Sequence, residues 1–189
     1  MVLGALLLTA AITLLIWNIR EDRQAGISAE KMLTQVMGQI AEDNQVCFAP
    51  YDTGMKEVEI DGYACIGYLS VPSLELKLPV MSEWDYTRLR IAPCRYMGSA
   101  KSGDLVIAAH NYTQHFGHIK DLSIGDPIYF TDMEGTTYTY TIGCIETLNP
   151  TGVDLMVKSK WDLTLFTCTY GGRQRVTVRC QREYAYEQN

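Results

Sequence analysis

The chain has 189 residues, of which 47% are hydrophobic and 20% charged, and its formal net charge is -6. That composition excludes a disordered, collagen-like or low-complexity protein. Lysine and arginine are scattered singly through an acidic chain, which excludes nucleic acid as the main partner, because phosphate neutralisation needs clustered basic residues.

Residues 1–19, MVLGALLLTAAITLLIWNI, form an uncharged apolar run. As a helix rising 1.5 Å per residue, such a run suits a hydrocarbon layer of ~30 Å, so it reads as a transmembrane anchor. Trp17 fits an interfacial position, and Arg20-Glu21-Asp22-Arg23 closes the span with charge. A cleaved signal peptide would want a basic start, a shorter apolar stretch and a small-residue cleavage site. No Lys or Arg flanks the span on its amino side, and Arg20 and Arg23 after it would by themselves favour a cytoplasmic domain. One explanation is a start further upstream, which predicts a longer reading frame with several Lys or Arg ahead of Met1.

Residues 20–61 read as a helical stalk and linker. Ile27, Met32, Leu33, Val36, Met37 and Ile40 recur near the 3.6-residue period of an amphipathic helix, while Ser28 with Lys31 makes half a capping box. Cys47 to Asp61, with Pro50, Gly54 and several charges, reads as the linker.

Residues 62–189 read as one folded domain. Strands are expected at Ala64 to Val71, Leu76 to Val80, Asp104 to Ala109, Asp126 to Thr131, Thr136 to Thr147, Leu163 to Thr169 and Arg173 to Gln181. Each is rich in β-branched, aromatic or aliphatic residues and is bounded by turn formers. Seven or eight strands without a long helix between them indicate a mainly β domain, an antiparallel barrel or a sandwich. Short helices are expected at Ser82 to Leu89, His115 to Leu122 and Gly152 to Ser159.

The six cysteines, Cys47, Cys65, Cys94, Cys144, Cys168 and Cys180, form no CxxC pair and share no ligand spacing with histidine. No zinc site or other metal centre is expected. With Cys168 a free thiol, five cysteines remain and at least one of those is unpaired as well.

The chemistry concentrates in Trp161 to Arg182, WDLTLFTCTYGGRQRVTVRCQR. Gly171-Gly172 between two alternating runs predicts a two-residue hairpin, since glycine takes positive φ without penalty. In that register Tyr170 opposes Arg173, Thr169 opposes Gln174 and Cys168 opposes Arg175, with Cβ atoms roughly 5 Å apart. Leu163, Leu165, Val176, Val178 and Cys180 then share the opposite, apolar face, which turns to the core. Cys168 is left on the groove side beside a positive charge that favours a thiolate, whereas Cys180 is expected in the core.

Thr164-Leu165-Phe166-Thr167-Cys168 resembles the TLxTC signature that ends a strand in sortases. Arg175-Val176-Thr177-Val178 resembles the arginine and strand that follow it, with Arg173 the second choice and Arg179 two pairs further along the same face. Leu105-Val106-Ile107-Ala108-Ala109-His110-Asn111 resembles the strand ending in the family's histidine. Ser123-Ile124-Gly125-Asp126 and Ile66-Gly67-Tyr68-Leu69-Ser70-Val71-Pro72 are further likenesses, so the resemblance covers about Gly62 to Glu183. His115 and His118 fall in the following turn and are not expected to catalyse.

The resemblance implies a closed sortase-type β-barrel of seven to eight strands with antiparallel and mixed pairing, outside the cell and held by a single-pass membrane anchor. It implies a cysteine transpeptidase in which Cys168 is the nucleophile, His110 handles the proton and Arg175 stabilises charge, with no cofactor. Thr167 and Asn111 are candidates for hydrogen bonds to substrate. The implied partners are secreted proteins with a C-terminal LPxTG-like sorting signal, and an amine acceptor from peptidoglycan precursor or a lysine of another protein, or water in its place. The short Thr147 to Asp162 segment and the lack of an Asp-Pro-aromatic motif upstream of Gly62 favour a class D-like or housekeeping enzyme over class B or C. An L,D-transpeptidase lacks its Ser-x-Gly-Cys-x-Arg pattern here. The non-enzymatic alternative is a tethered β-barrel that only binds envelope proteins.

Overall fold

The computed structural model describes residues 2–43, 54–149, 151 and 160–184. Cys47 and the helix expected at Gly152 to Ser159 lie outside the described residues. α1 (Val2–Asp43) is a single helix of 42 residues. Residues 2–20 are exposed on every face, as an apolar segment is when no protein covers it. Beyond them Ala25, Ala29, Met32, Val36 and Ile40 are buried, a 3–4 spacing that lays one stripe of the helix on β-structure.

That stripe corrects the sequence expectation in part. Met32, Val36 and Ile40 pack, but Ile27 and Met37 are 53% and 39% exposed. Their place is taken by Ala25 and Ala29, whose small side chains give little hydropathy signal. Ser28 lies inside the continuous helix and starts nothing.

Nine strands follow among the described residues: β1 (Val58–Ile60), β2 (Tyr63–Val71), β3 (Leu76–Met81), β4 (Cys94–Met97), β5 (Leu105–Ala108), β6 (Pro127–Asp132), β7 (Thr137–Leu148), β8 (Leu163–Cys168) and β9 (Arg175–Arg182). They run β1-β2-β3-β4-β5-β8-β9-β7-β6 through the sheet, and β2 also pairs with β6. The second pairing closes β2 to β9 into an eight-stranded barrel, with β1 extending one edge of β2. β3–β4 and β5–β8 are parallel and the remaining pairs antiparallel. Closure depends on Gly67, where φ is +141° and an added Cβ would lie 2.0 Å from the Thr131 carbonyl oxygen.

Seven strands match the sequence expectation within two residues at each end. β1 lies in the segment read as linker. β4 was not expected either: four residues containing Arg95, held to β3 by the single pair Met81↔Cys94, offer too short a pattern to read. The helices expected at Ser82 to Leu89 and His115 to Leu122 shrink to single 3-10 turns at Arg88–Arg90 and Ile119–Asp121.

The barrel interior is filled by Leu69, Leu105, Ile107, Ile128, Phe130, Tyr140, Leu165 and Val178 among others. Each such side chain contributes about 1.5–3 kcal/mol by leaving water. A second cluster lies outside the barrel, where Met32, Val36 and Ile40 of α1 meet Cys65, Met81, Cys94, Val106, Ala108 and Phe166. The outer face is therefore partly covered, not open along its length.

Candidate active site

β5, β8 and β9 lie side by side, and their alternation sorts every residue between two faces. Leu105, Ile107 and Ala109 point into the barrel with Leu163, Leu165, Val178 and Cys180. Val106, Ala108 and Phe166 belong to the outer cluster. The parallel β5–β8 ladder ends at Ala108↔Phe166, followed by a hydrogen bond from the Ala109 N–H to the Phe166 carbonyl at 3.2 Å. His110 and Cys168 come next on their strands, so both fall on the outer side.

Cys168 is the Cα partner of Arg175 on β9. Residues 110, 168 and 175 thus stand at three adjacent strand ends, and all three are half-buried. The Arg175 guanidinium is steadied by the hairpin, since Nη1 donates to the carbonyls of Gly172 and Gln174 at 3.1 and 3.2 Å.

The hairpin tip differs from expectation. Thr169 N–H donates to the Gln174 carbonyl at 2.9 Å and Gly172 N–H to the Thr169 carbonyl at 2.8 Å. The connection is four residues, Tyr170 to Arg173, with Gly171 and Gly172 at φ +76° and +69°; Tyr170 and Arg173 form no ladder pair. A four-residue loop centred on the same point leaves the register below it unchanged, which is why Cys168 still faces Arg175.

The other arginines are elsewhere. Arg173 is exposed at the tip. Arg179 is 2% exposed; its Nε donates to Glu146 Oε1 at 2.9 Å and its Nη1 to Thr164 Oγ1 at 3.2 Å.

The loop carrying His110 is wound tightly on itself. Phe116 N–H donates to the His110 carbonyl at 3.1 Å, and His115 and Gly117 N–H groups donate to the Tyr112 carbonyl at 3.0 and 2.9 Å. Phe116 is fully buried in the barrel and anchors the far end. Only glycine fits at 117, where a Cβ would come within 2.7 Å of the Tyr112 oxygen. Burial holds the His110 imidazole below the ordinary histidine range; Arg90 acts in the same direction and Glu21 opposes it. The His110 and Tyr112 rings are 4.9 Å apart.

Thr167 is 3% exposed, and its hydroxyl donates to the Ala109 carbonyl at 2.8 Å, tying β8 to β5 just before His110. Asn111 follows His110 and is half-buried. His118 is at the surface, 3.0 Å from Asp121. His115 is 1% exposed, with its pKa pushed down to about 4 chiefly by burial.

The five described cysteines are free thiols. Burial pushes Cys65, Cys94 and Cys180 up to about 12. No group of three or more His, Cys, Asp or Glu side chains among the described residues is arranged to hold a metal.

Sequence inspection did not single out an aromatic track that reaches this face. Trp84 packs on Tyr96 at 5.1 Å and Tyr96 on Phe166 at 5.3 Å between ring centroids. Trp84 and Tyr96 help line an open cleft of about 510 Å³ with Ser82, Glu83, Arg95, Met97 and Gly98. Phe166 lies two residues before Cys168 on the same outer side of β8. These residues come from three separate segments, and no local motif links them.

A family model described as the sortase domain matches residues 69–183. A curated sortase A from Listeria monocytogenes is 31% identical over 115 residues, covering 57% of this chain and 51% of that protein. The chain therefore spans about half the length of the curated relative it matches. Among solved structures, sortase C1 from Streptococcus suis is similar at a TM-score of 0.54 and 29% identity, over 66% of this chain and 76% of that one. Sortase C from Clostridium perfringens, solved with the C-terminal cell wall sorting motif, is similar at a TM-score of 0.57 and 22% identity, over 82% of this chain and 90% of that one.

Proposed function

Because this chain belongs to the sortase family, as its match over residues 69–183 establishes, we propose that it is a membrane-anchored cysteine transpeptidase acting outside the cell. Its substrate is a secreted protein with an LPxTG-like sorting signal. The Clostridium perfringens sortase C structure, solved with a cell wall sorting motif, supports that substrate class. The class D-like or housekeeping assignment rests on sequence features alone.

The Cys168 thiolate attacks the carbonyl carbon of the signal's threonine. Negative charge moves to the carbonyl oxygen, where the Arg175 guanidinium, already fixed by the hairpin carbonyls, binds it without reorganising. The C–N bond to glycine then breaks, and His110 supplies the proton to the departing amine. The resulting thioester divides one hard acyl transfer into two easier ones. An incoming amine of peptidoglycan precursor or lysine gives its proton to His110, attacks the thioester and expels the Cys168 thiolate. Burial disfavours the imidazolium at His110, so the thiolate–imidazolium form is a minority of the singly protonated pair and turnover is modest.

The apolar residues of the signal fit the Trp84–Tyr96–Phe166 track, which leads along the outer face toward Cys168. The observation that carries the reading is the Cys168↔Arg175 pairing beside the strand end that bears His110. The test is a library of fluorogenic sorting peptides incubated with and without an amine acceptor. Wild type should cleave a subset and transfer it to the amine, and Cys168→Ala should do neither while remaining folded. Equal cleavage by both proteins would refute the assignment.

A further inference from the structure

α1 does more than hold the barrel to a membrane. Its carboxyl half already docks on the outside of the barrel through Met32, Val36 and Ile40, against Cys65, Met81 and Cys94. The segment just beyond the apolar span makes a different set, directed at the loop that carries His110.

Asp22 Oδ1 accepts the Thr113 N–H at 2.7 Å, and its other oxygen accepts the Thr113 hydroxyl. Glu21 Oε1 lies 3.4 Å from Arg90 Nη1. One turn further on, Ala25 and Ala29 are 2% and 1% exposed. At Gly26 an added Cβ would lie 2.8 and 3.0 Å from Gln114 Cγ and Cβ. The helix can approach the loop this closely only because these three positions are small. His115 is buried in the same seam; neither ring nitrogen makes a well-formed hydrogen bond, although the main chain of Ala25 and Ile91 faces the ring.

We infer that Asp22 and Glu21 are positioning residues for His110: α1 sets where the loop sits and which charges face the imidazole. The inference rests on the proposed role of His110 as the proton carrier. Thr113 is three residues from His110, and the intervening Tyr112 ring packs on the imidazole, so fixing Thr113 restrains the ring through its neighbour. The groups acting on His110 are Glu21 on α1, Arg90 in the 3-10 turn Arg88–Arg90, and Tyr112 and His115 in its own loop; Asp22 reaches the same loop at Thr113, and Cys168 and Arg175 lie on the neighbouring strand ends. Of these, Arg90 opposes the imidazolium and Glu21 favours it, and the Glu21–Arg90 contact brings both to one place. Ile19 and Asp22 are three residues apart on one unbroken helix, a rise of about 4.5 Å. The loop consequently stands at the edge of the span, and displacement of the helix is passed directly to His110.

The test uses the full chain in phospholipid nanodiscs, comparing wild type with Glu21→Gln, Asp22→Ala and Asp22→Asn. Two readouts are taken: titration of the His110 imidazole by NMR, which needs no turnover, and the steady-state constants for a sorting peptide. Glu21→Gln is expected to lower the His110 titration midpoint and carry the acid limb of kcat/KM to lower pH, with the melting temperature unchanged. Asp22→Ala is expected to lower kcat about tenfold or more with KM little changed, as misplacement of a reacting group does. Asp22→Asn, which keeps one accepting oxygen, should recover part of that loss. An unmoved His110 titration in Glu21→Gln, or a kcat loss in Asp22→Ala no larger than its loss of folded protein, would overturn the inference. If wild type turns over no peptide while Glu21→Gln still shifts His110, the positioning stands and the transpeptidase reading fails.

Discussion

Cys168 and Arg175 are Cα partners across the β8–β9 hairpin, whereas Arg173 sits at its exposed tip and Arg179 is buried against Glu146. A preorganised cation beside the reacting carbonyl lowers kcat by about 10²–10³ when it is removed. Arg175→Ala should show a loss of that order in peptide cleavage, and Arg173→Ala should stay within about twofold because an exposed tip residue contributes little. Steady-state kinetics on both proteins decides between the two arginines. Arg179→Ala is expected to act on stability instead, by about 1–3 kcal/mol, because it leaves the buried Thr164 hydroxyl without its donor.

In the proposed mechanism, the pH dependence of kcat/KM follows from a proton shared by His110 and Cys168. The active state carries one proton on the pair, so activity falls on the acid side as a second is added. An ordinary thiol titrates well above an ordinary imidazole, which assigns the acid limb to His110. Burial and Arg90 hold that imidazole below the ordinary range, so the limb should lie below ~6.5. Arg90→Ala removes a charge that opposes the imidazolium and should move the limb to higher pH. A limb that stays put would remove Arg90 from the electrostatics of the site.

Thiol reactivity should be sharply graded. Cys65, Cys94 and Cys180 are buried, with pKa values of about 12, while Cys144 and Cys168 are half-buried. Alkylation of the native protein at neutral pH, mapped by peptide mass spectrometry, should modify Cys168 and Cys144 well before Cys65, Cys94 and Cys180. Equal labelling at Cys180 would mean that the barrel opens readily.

His115 makes the fold acid-sensitive. Its pKa is about 4 in the folded protein against ~6.5 in an unfolded chain. Between those values the unfolded chain binds more protons, so stability is fully present above ~6.5 and falls as the pH drops through the window. The loss from this group should reach about 2 kcal/mol by pH 5. Urea unfolding at pH 7 and pH 5 measures it, and His115→Leu should flatten the difference. The same pH dependence in that variant would place the effect on other groups.

The barrel and the strand-end positions of Cys168, Arg175 and His110 were legible because they rest on local patterns. Alternation in Leu163 to Cys168 and Arg175 to Cys180 fixes which side faces the core, and the glycine pair fixes the hairpin centre even though the tip is two residues longer on the ladder than expected. His110 was legible as the end of an apolar strand. What could not be read lies between distant segments. Asp22 and Thr113 are 91 residues apart in sequence, and Trp84, Tyr96 and Phe166 meet only through tertiary packing. Ala25, Gly26 and Ala29 carry information by being small, which hydropathy patterning passes over. β4 is too short to announce itself.

The central claim is that Cys168 becomes covalently acylated by a sorting signal. Intact-protein mass spectrometry of the full chain, quenched in acid after mixing with a sorting peptide and no amine acceptor, tests it directly. The account predicts an adduct equal in mass to the acyl half of the peptide, mapped to Cys168 and missing in Cys168→Ala. A folded wild-type protein that cleaves the peptide without such an adduct, or an adduct that persists after Cys168→Ala, would contradict it.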